Sequence, residues 1–258
     1  MNVLRAAGIF ALVMLWAGAP AGAVATATAT APLALHYDIY ARGFPVMALD
    51  FRLDETAAQY RIAGTIHPSG VVAWFSNFAM RTESRGAVAA DALRPEAHET
   101  DSRGRRGERR AQLDYVADGR ILTALIPPED PGHVPPSSGQ ILGTVDPLTA
   151  ILAMSHAFQR SGSCAIAVPV FDGRRRYDLT LDEERRETRV AAAPRRCAVT
   201  LAKIAGFSGE RDDAPHLVHG FVWIGAPRPG APPLPVRIEF ASDWGPIRVE
   251  LAEPRPAK

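Results

Sequence analysis

Hydrophobic and polar residues alternate along most of this chain. In the segment Leu33–Tyr40, every second side chain is apolar and the residues between them include histidine, aspartate and tyrosine. The same alternation recurs in Met47–Leu53, Val236–Phe240 and Ile247–Leu251. A period of two predicts strands with one buried face and one solvated face, which is typical of antiparallel sheets. About a dozen such strands are predicted at the spacing of a barrel or sandwich.

Short turn motifs separate these predicted strands. The pairs Asp118-Gly119 and Asp172-Gly173 each lie between two apolar runs, and Asp-Gly suits the positive φ angles of a tight hairpin. Arg42–Pro45 and His67–Gly70 indicate further reversals.

One segment departs from the alternation and predicts a helix. Asp146 is a favourable N-cap, Pro147 suits the first helical position, and Gly162 can end the helix. An apolar stripe at helical spacing runs between these ends, formed by Leu148, Ile151, Leu152, Ser155 and Phe158. We expect this helix, near residues 146–160, to pack its stripe on the concave side of a curved sheet.

The predicted fold class is therefore mainly β. A strongly curved antiparallel sheet, either an open barrel or a β-spiral of the lipoprotein-carrier kind, wraps one main α-helix. Residues 33–252 are predicted to form a single β-rich domain, and residues 253–258 a tail.

The N-terminus has the order of a secretory signal peptide. Arg5 precedes an apolar run from Ala6 to Trp16, and small residues lead to Ala23. Cleavage there would remove residues 1–23 and leave a flexible lead over residues 24–32. A retained anchor is the alternative, but the run is shorter than the roughly 20 residues that span a bilayer. We expect export to the periplasm and a mature chain that is not transmembrane.

The two cysteines, Cys164 and Cys197, are 33 residues apart. In an exported protein this pair predicts a disulfide. A metal site would need a second pair or a fixed histidine spacing, and a catalytic thiol would leave one cysteine unexplained.

Net charge limits the partners. Losing Arg5 with the signal peptide leaves 28 Lys and Arg from 29, against 28 Asp and Glu. A near-neutral chain lacks the basic excess of a general nucleic-acid binder. The same balance argues against a strongly acidic partner.

Three stretches resemble a known family. They are YDIYARGFPVMALDFRL, DPLTAIL, and VFDGRRRYDLTL followed by CAVTLAKIAGF. Together they resemble the bacterial exported family catalogued as domain of unknown function 3108, over about Leu35–Leu251. The resemblance implies a β-rich envelope protein and implies no catalytic or cofactor residues. At the level of fold, the plan is similar to periplasmic lipoprotein carriers and to exported β-spiral proteins linked to envelope integrity.

Two candidate binding sites can each be explained by a purely structural role instead. Arg174, Arg175 and Arg176 follow the Asp172-Gly173 turn and could contact an anion, or could pair with acids across a hairpin. The segment Val71–Met80 is apolar on both faces of a predicted strand. It is either a strand buried on two sides or the wall of a ligand cavity, with the possible lining residues Trp74, Phe78, Met80 and Phe158.

Other candidates are weaker. The run Arg103–Arg110 could meet lipid head groups or form a solvated loop between strands. His216 and His219 face opposite sides of a predicted strand, which argues against metal binding. The chain has no G-x-S-x-G, H-E-x-x-H, P-loop or dinucleotide motif, so we assign no catalytic, cofactor or metal residue.

These observations predict a periplasmic, non-enzymatic protein that supports envelope integrity by binding an envelope component or a protein. The first alternative is a carrier of a lipid or other apolar ligand in the concave face of the sheet. The second alternative is a hydrolase with no recognisable motif. The oligomeric state and the strand order are left open.

Overall fold

The computed structural model describes residues 32–89, 92–105, 107–129, 132, 134–184, 193–207, 217–242 and 245–252. The predicted signal peptide and tail, and the predicted lead apart from Pro32, lie outside these residues. The strands of the first half are β1 (Leu33–Ala41), β2 (Phe44–Glu55), β3 (Gln59–Pro68), β4 (Ala79–Ala89), β5 (Ala92–Gly104), β6 (Gly107–Tyr115) and β7 (Ile121–Ile126). Two helices follow, α1 (Ser138–Ile141) and α2 (Pro147–Ser161). The second half comprises β8 (Ile166–Phe171), β9 (Arg176–Glu183), β10 (Arg195–Ala205), β11 (Leu217–Gly225), β12 (Leu234–Ser242) and β13 (Gly245–Leu251).

These thirteen strands of the described chain form one antiparallel sheet. Each strand pairs with its neighbours in sequence along two runs, β1 to β7 and β8 to β13, and β1 also pairs with β13. The chain therefore enters at the centre of the sheet and winds out to the edge at β7. It then crosses through α1 and α2 to the opposite edge at β8 and winds back.

The sheet is strongly curved around α2. The helix contacts both β5 and β8, which are ten positions apart in the strand order. In a flat sheet with strands about 4.8 Å apart, that separation would be about 48 Å. A helix only about 10 Å across can touch both strands because the sheet bends around it. The predicted fold class, a curved antiparallel sheet wrapping one main helix, is confirmed.

The two edges of the sheet meet through side chains rather than through a strand ladder. Arg174, in the turn between β8 and β9, donates to the carbonyl oxygen of Pro127 just after β7, at 2.9 Å. In the same turn, a Cβ built on Gly173 would lie 3.1 Å from the Cβ of Ala111 on β6. Since β7 and β8 share no ladder bonds, the barrel stays open along this seam.

The apolar residues of the alternation face α2. One core cluster joins β1, β2 and β3 to the first half of the helix, with Leu33, Phe51, Tyr60, Ile62, Leu148 and Leu152 among its buried members. The other joins β8 to β11 to the opposite side of the helix, with Ile166, Val170, Leu181, Val222 and Ile224. The concave face is thus the buried face, and polar residues occupy the convex one.

The predicted helix is confirmed at both ends. The Asp146 carboxylate accepts hydrogen bonds from the backbone N–H groups of Leu148 and Thr149. Gly162 ends the helix with φ of 62°. Of the predicted stripe, Leu148, Leu152 and Ser155 are buried, whereas Ile151 and Phe158 are half-buried and pack against the two clusters.

The predicted strand over Val71–Met80 is wrong over Val71–Phe78. Gly70–Trp74 is a 3₁₀ helix, and β4 begins only at Ala79. The physical reason is a backbone reversal that the side-chain pattern does not reveal: a Cβ at position 70 would lie 2.7 Å from the Pro45 carbonyl oxygen, so only glycine fits there. The chain instead leaves the sheet at Gly70, whose φ is 57°.

The predicted disulfide is confirmed. The bond joins Cys164, just before β8, to Cys197 on β10. Both residues are fully buried. The Glu183 carboxylate at the end of β9 accepts a hydrogen bond from the Cys164 backbone N–H, so the disulfide crosses over the end of β9.

Candidate functional site

An apolar cavity of about 310 Å³ lies between α2 and strands β9 to β12. Its walls are almost entirely aliphatic: Ile151, Met154, Leu179, Leu181, Val199, Leu201, Val218, Val222, Ile224, Pro233, Pro235, Ile238 and Phe240, with Ser155, His219 and Gly220. The volume lies at the lower end of the roughly 300–1,000 Å³ typical of small-molecule sites.

The few polar groups near this cavity form hydrogen bonds within the protein. The Ser155 hydroxyl donates to the carbonyl oxygen of Pro233 at 2.5 Å. The Nδ1 of His219 hydrogen-bonds with the Thr200 hydroxyl at 3.1 Å. The interior therefore offers mainly dispersion contacts, which suits an alkyl or other apolar group.

The structure places the four sequence-predicted lining residues outside this cavity. Trp74 lies in the 3₁₀ helix with 87% of its surface exposed. Phe78 and Met80 are half-buried beside β4 and β5, and Phe158 packs on the core cluster of β8 to β11. None of them is among the residues that line it.

The sequence analysis did not identify the residues that line this cavity. The alternation in β9 to β12 shows which residues face the concave side, but their aliphatic side chains look the same whether that side is filled or empty. Only the position of α2 decides this, because the helix packs against β8 and contacts β3, β4, β5 and β12, but leaves part of the space over β9 to β12 open.

The three arginines of the predicted anion site point to different partners. Arg174 pairs with Glu129 at 3.2 Å, and Arg176 pairs with Asp178 at 2.8 Å and donates to the carbonyl oxygen of Gln140. Arg175 lies 5.4 Å from the ring centre of Phe207, whose ring also faces the Lys203 ammonium at 5.3 Å. Two of the three guanidinium groups thus join the turn to neighbouring segments.

A second cluster of chemically capable groups lies under the N-terminus of α2. Asp146 Oδ1 accepts from the Ser84 hydroxyl of β4 at 2.5 Å and lies 3.3 Å from His98 Nδ1 of β5. Its Oδ2 accepts from the Thr149 hydroxyl at 2.6 Å. Because that hydroxyl has only one hydrogen, the Tyr60 hydroxyl, 2.9 Å away, must donate to Thr149. Asp146 therefore joins the helix to three strands at once.

This serine, histidine and aspartate do not have the geometry of a nucleophilic triad. In a triad, the two ring nitrogens separate the carboxylate from the nucleophile. Here Ser84 and Asp146 both face Nδ1 of His98, whereas Nε2 faces the Thr100 hydroxyl at 3.0 Å. All three side chains are 2% exposed or less. The arrangement instead satisfies the buried polar groups that attach α2 to the sheet.

The environment lowers the pKa of Asp146 below its ordinary value. Burial raises this pKa, but the hydrogen bonds and the charge of His98, together with the Ser84 and Thr149 hydroxyls, lower it by more. The unfolded chain therefore binds a proton at Asp146 at a higher pH than the folded chain does.

We expect this difference to make the helix attachment sensitive to acid. The contribution of Asp146 is fully present above its unfolded pKa, about 3.9, and is lost as the pH falls through the lower folded pKa. Urea unfolding of the wild type and of Asp146→Asn at several pH values below 5 measures this contribution. Histidine side chains in model peptides titrate at a higher pH, near 6.5. The stability difference between the two proteins should shrink as the pH falls, and a difference that stays constant would contradict the assignment.

No group of three or more potential metal ligands occurs among the described residues. His216 of the sequence-level pair lies outside them. Among the residues that the structure describes, no helix is long and apolar enough to cross a membrane.

Comparison with known proteins supplies a family. A family model described as "Protein of unknown function (DUF3108)" matches residues 36–252, which confirms the resemblance inferred from the sequence. No curated protein matches the chain. One similar solved structure is a beta-barrel-like protein of the domain of unknown function DUF1849 from Brucella abortus. It is 11% identical, with a TM-score of 0.47 over 86% of this chain and 97% of that chain.

Proposed function

We propose that this chain, which belongs to the DUF3108 family, is a non-enzymatic binding protein of the bacterial cell envelope. It holds an apolar chain of an envelope component in the cavity between α2 and strands β9 to β12. This proposal combines the envelope role predicted from the sequence with its first alternative, a carrier of an apolar ligand.

The observation that carries this proposal is the aliphatic wall of the cavity. The lining residues include no Asp, Glu, Lys or Arg, and their aliphatic side chains give a favourable environment to an alkyl chain. Phe240, which lines the cavity, is 36% exposed, and we expect an apolar chain to enter on the side of this residue.

The disulfide supports an envelope location. Disulfides form and persist in oxidising compartments such as the bacterial periplasm, and Cys164 and Cys197 are bonded here. The proposed signal peptide over residues 1–23 would deliver the chain to that compartment.

Filling the cavity tests the proposal. Val199→Trp adds an indole ring to the concave side of β10, and we expect it to weaken binding of a fluorescent fatty-acid analogue at least tenfold, because the ring occupies the space of the probe. Fluorescence titration of purified protein with this probe is the measurement. Native mass spectrometry of protein from the periplasm should, in addition, show a bound apolar molecule.

Ala202→Trp is the matched control. It introduces the same side chain on the same strand, three residues along and therefore on the convex face. The control should bind the probe as the wild type does. Equal binding by both tryptophan variants, or no binding by the wild type, would disprove the proposed site.

A further inference from the structure

Four large apolar side chains are exposed close together at one end of the sheet. Phe44 begins β2 with 71% of its surface exposed, and Val71, Trp74 and Phe75 in and after the 3₁₀ helix are 58%, 87% and 66% exposed. The backbone brings the two segments together. Ser69 N–H donates to the carbonyl oxygen of Val46 at 3.0 Å, and a Cβ built on Gly70 would lie 2.7 Å from the Pro45 carbonyl oxygen. We call these four residues the aromatic ridge.

A basic hairpin lies beside the aromatic ridge. The segment that follows the 3₁₀ helix brings Phe78 against Gly104, where a Cβ would lie 3.3 Å from the ring. Gly104 ends β5 in the hairpin to β6, and this hairpin carries the exposed residues Arg103, Arg105 and Arg109. Among the described residues, no carboxylate lies within salt-bridge distance of these three.

The acidic groups of the same hairpin leave a positive excess. Glu108 faces Arg103 across the strand pair. Asp101 and Glu99 are both engaged with Arg110, at 2.9 and 3.5 Å. Counting all these groups, the hairpin carries four arginines against three carboxylates, and its described tip carries three arginines against one glutamate at the end where the aromatic ridge projects.

We infer that this end of the molecule docks on an anionic lipid bilayer. Tryptophan and phenylalanine at the tip of a fold favour the interfacial region of a membrane. Arginines beside them meet anionic head groups, each contributing about a fivefold gain in binding at low ionic strength. The chemistry on the two adjacent segments is complementary to such a surface, and neither segment takes part in the cavity.

Vesicle co-sedimentation tests the inference. We expect purified protein to bind vesicles of an equal mixture of phosphatidylglycerol and phosphatidylcholine, and to bind phosphatidylcholine vesicles much more weakly. The double variant Trp74→Ser/Phe75→Ser should bind at least tenfold more weakly, because it removes two apolar anchors. Arg103→Gln/Arg105→Gln should bind about 25-fold more weakly at low ionic strength and lose most of the salt dependence.

Two matched controls lie away from the aromatic ridge. Leu122→Ser removes an exposed apolar side chain of β7 (51% exposed), and Arg120→Gln removes an exposed arginine of the β6–β7 turn. Neither should change vesicle binding. Equal binding to both kinds of vesicle, no binding to either, or equal losses in the controls would overturn the inference. The Trp74→Ser/Phe75→Ser variant should also keep the fatty-acid affinity of the wild type. Membrane docking and cavity binding can therefore each be disproved without affecting the other.

Discussion

Replacing Asp146 with alanine is expected to lower the free energy of unfolding by about 3–5 kcal/mol, the cost typical of breaking a buried charge pair. The variant removes one carboxylate but leaves its donors in place. The hydroxyls of Ser84 and Thr149, the ring of His98 and two backbone N–H groups of α2 would then lack their acceptor in the protein interior. Unsatisfied buried donors cost more than the hydrogen bonds themselves contribute. Urea denaturation followed by circular dichroism measures the change.

Ser137→Ala provides the matched control for Asp146→Ala. Ser137 is also an N-cap, but it precedes the four-residue helix α1 and is exposed. Its loss should cost about 1 kcal/mol or less. If the two variants lose similar amounts of stability, Asp146 acts only as a helix cap and not as the attachment of α2 to the sheet.

Removing the disulfide is expected to lower the free energy of unfolding by about 3–4 kcal/mol. The bond closes a loop of 33 residues, and breaking it restores to the unfolded chain the conformational freedom that the loop had lost. The double variant Cys164→Ala/Cys197→Ala should show this loss in urea denaturation.

The reduced wild type is the natural control for the double alanine variant. Its cysteines keep their volume in the core, so any further loss in the variant measures packing rather than the bond. Reduced wild type and variant should agree within about 1 kcal/mol. A wild type whose stability does not change on reduction would contradict the expected role of the bond.

Both predictions bear on the proposed cavity. Helix α2 forms one wall with Ile151 and Met154, and strands β9 to β12 form the other. The Asp146 network holds the first wall, whereas the disulfide holds the edge of the second. Loss of either should therefore weaken fatty-acid binding.

Much of the local structure can be predicted from the sequence because it depends on neighbouring residues. The alternation in Leu33–Tyr40 is a property of a single strand, and the Asp172-Gly173 hairpin depends on two residues whose backbone preferences are strong. The cap at Asp146 and the stop at Gly162 likewise follow from contacts within one turn. The candidate site is different, because its residues lie on four strands and one helix.

The sequence by itself determined the sheet, the main helix and the cysteine pairing. Periodicity and capping depend on neighbouring residues, and two cysteines allow only one pairing within the chain whatever their separation. Only the tertiary structure decided that β1 pairs with β13, that Trp74 is exposed and that Ser84 and His98 meet Asp146. It also decided which part of the concave face α2 leaves open. These outcomes depend on how far a thirteen-strand sheet bends before its edges come together. That bending is the sum of the twist between all neighbouring strands, and no local sequence pattern specifies it.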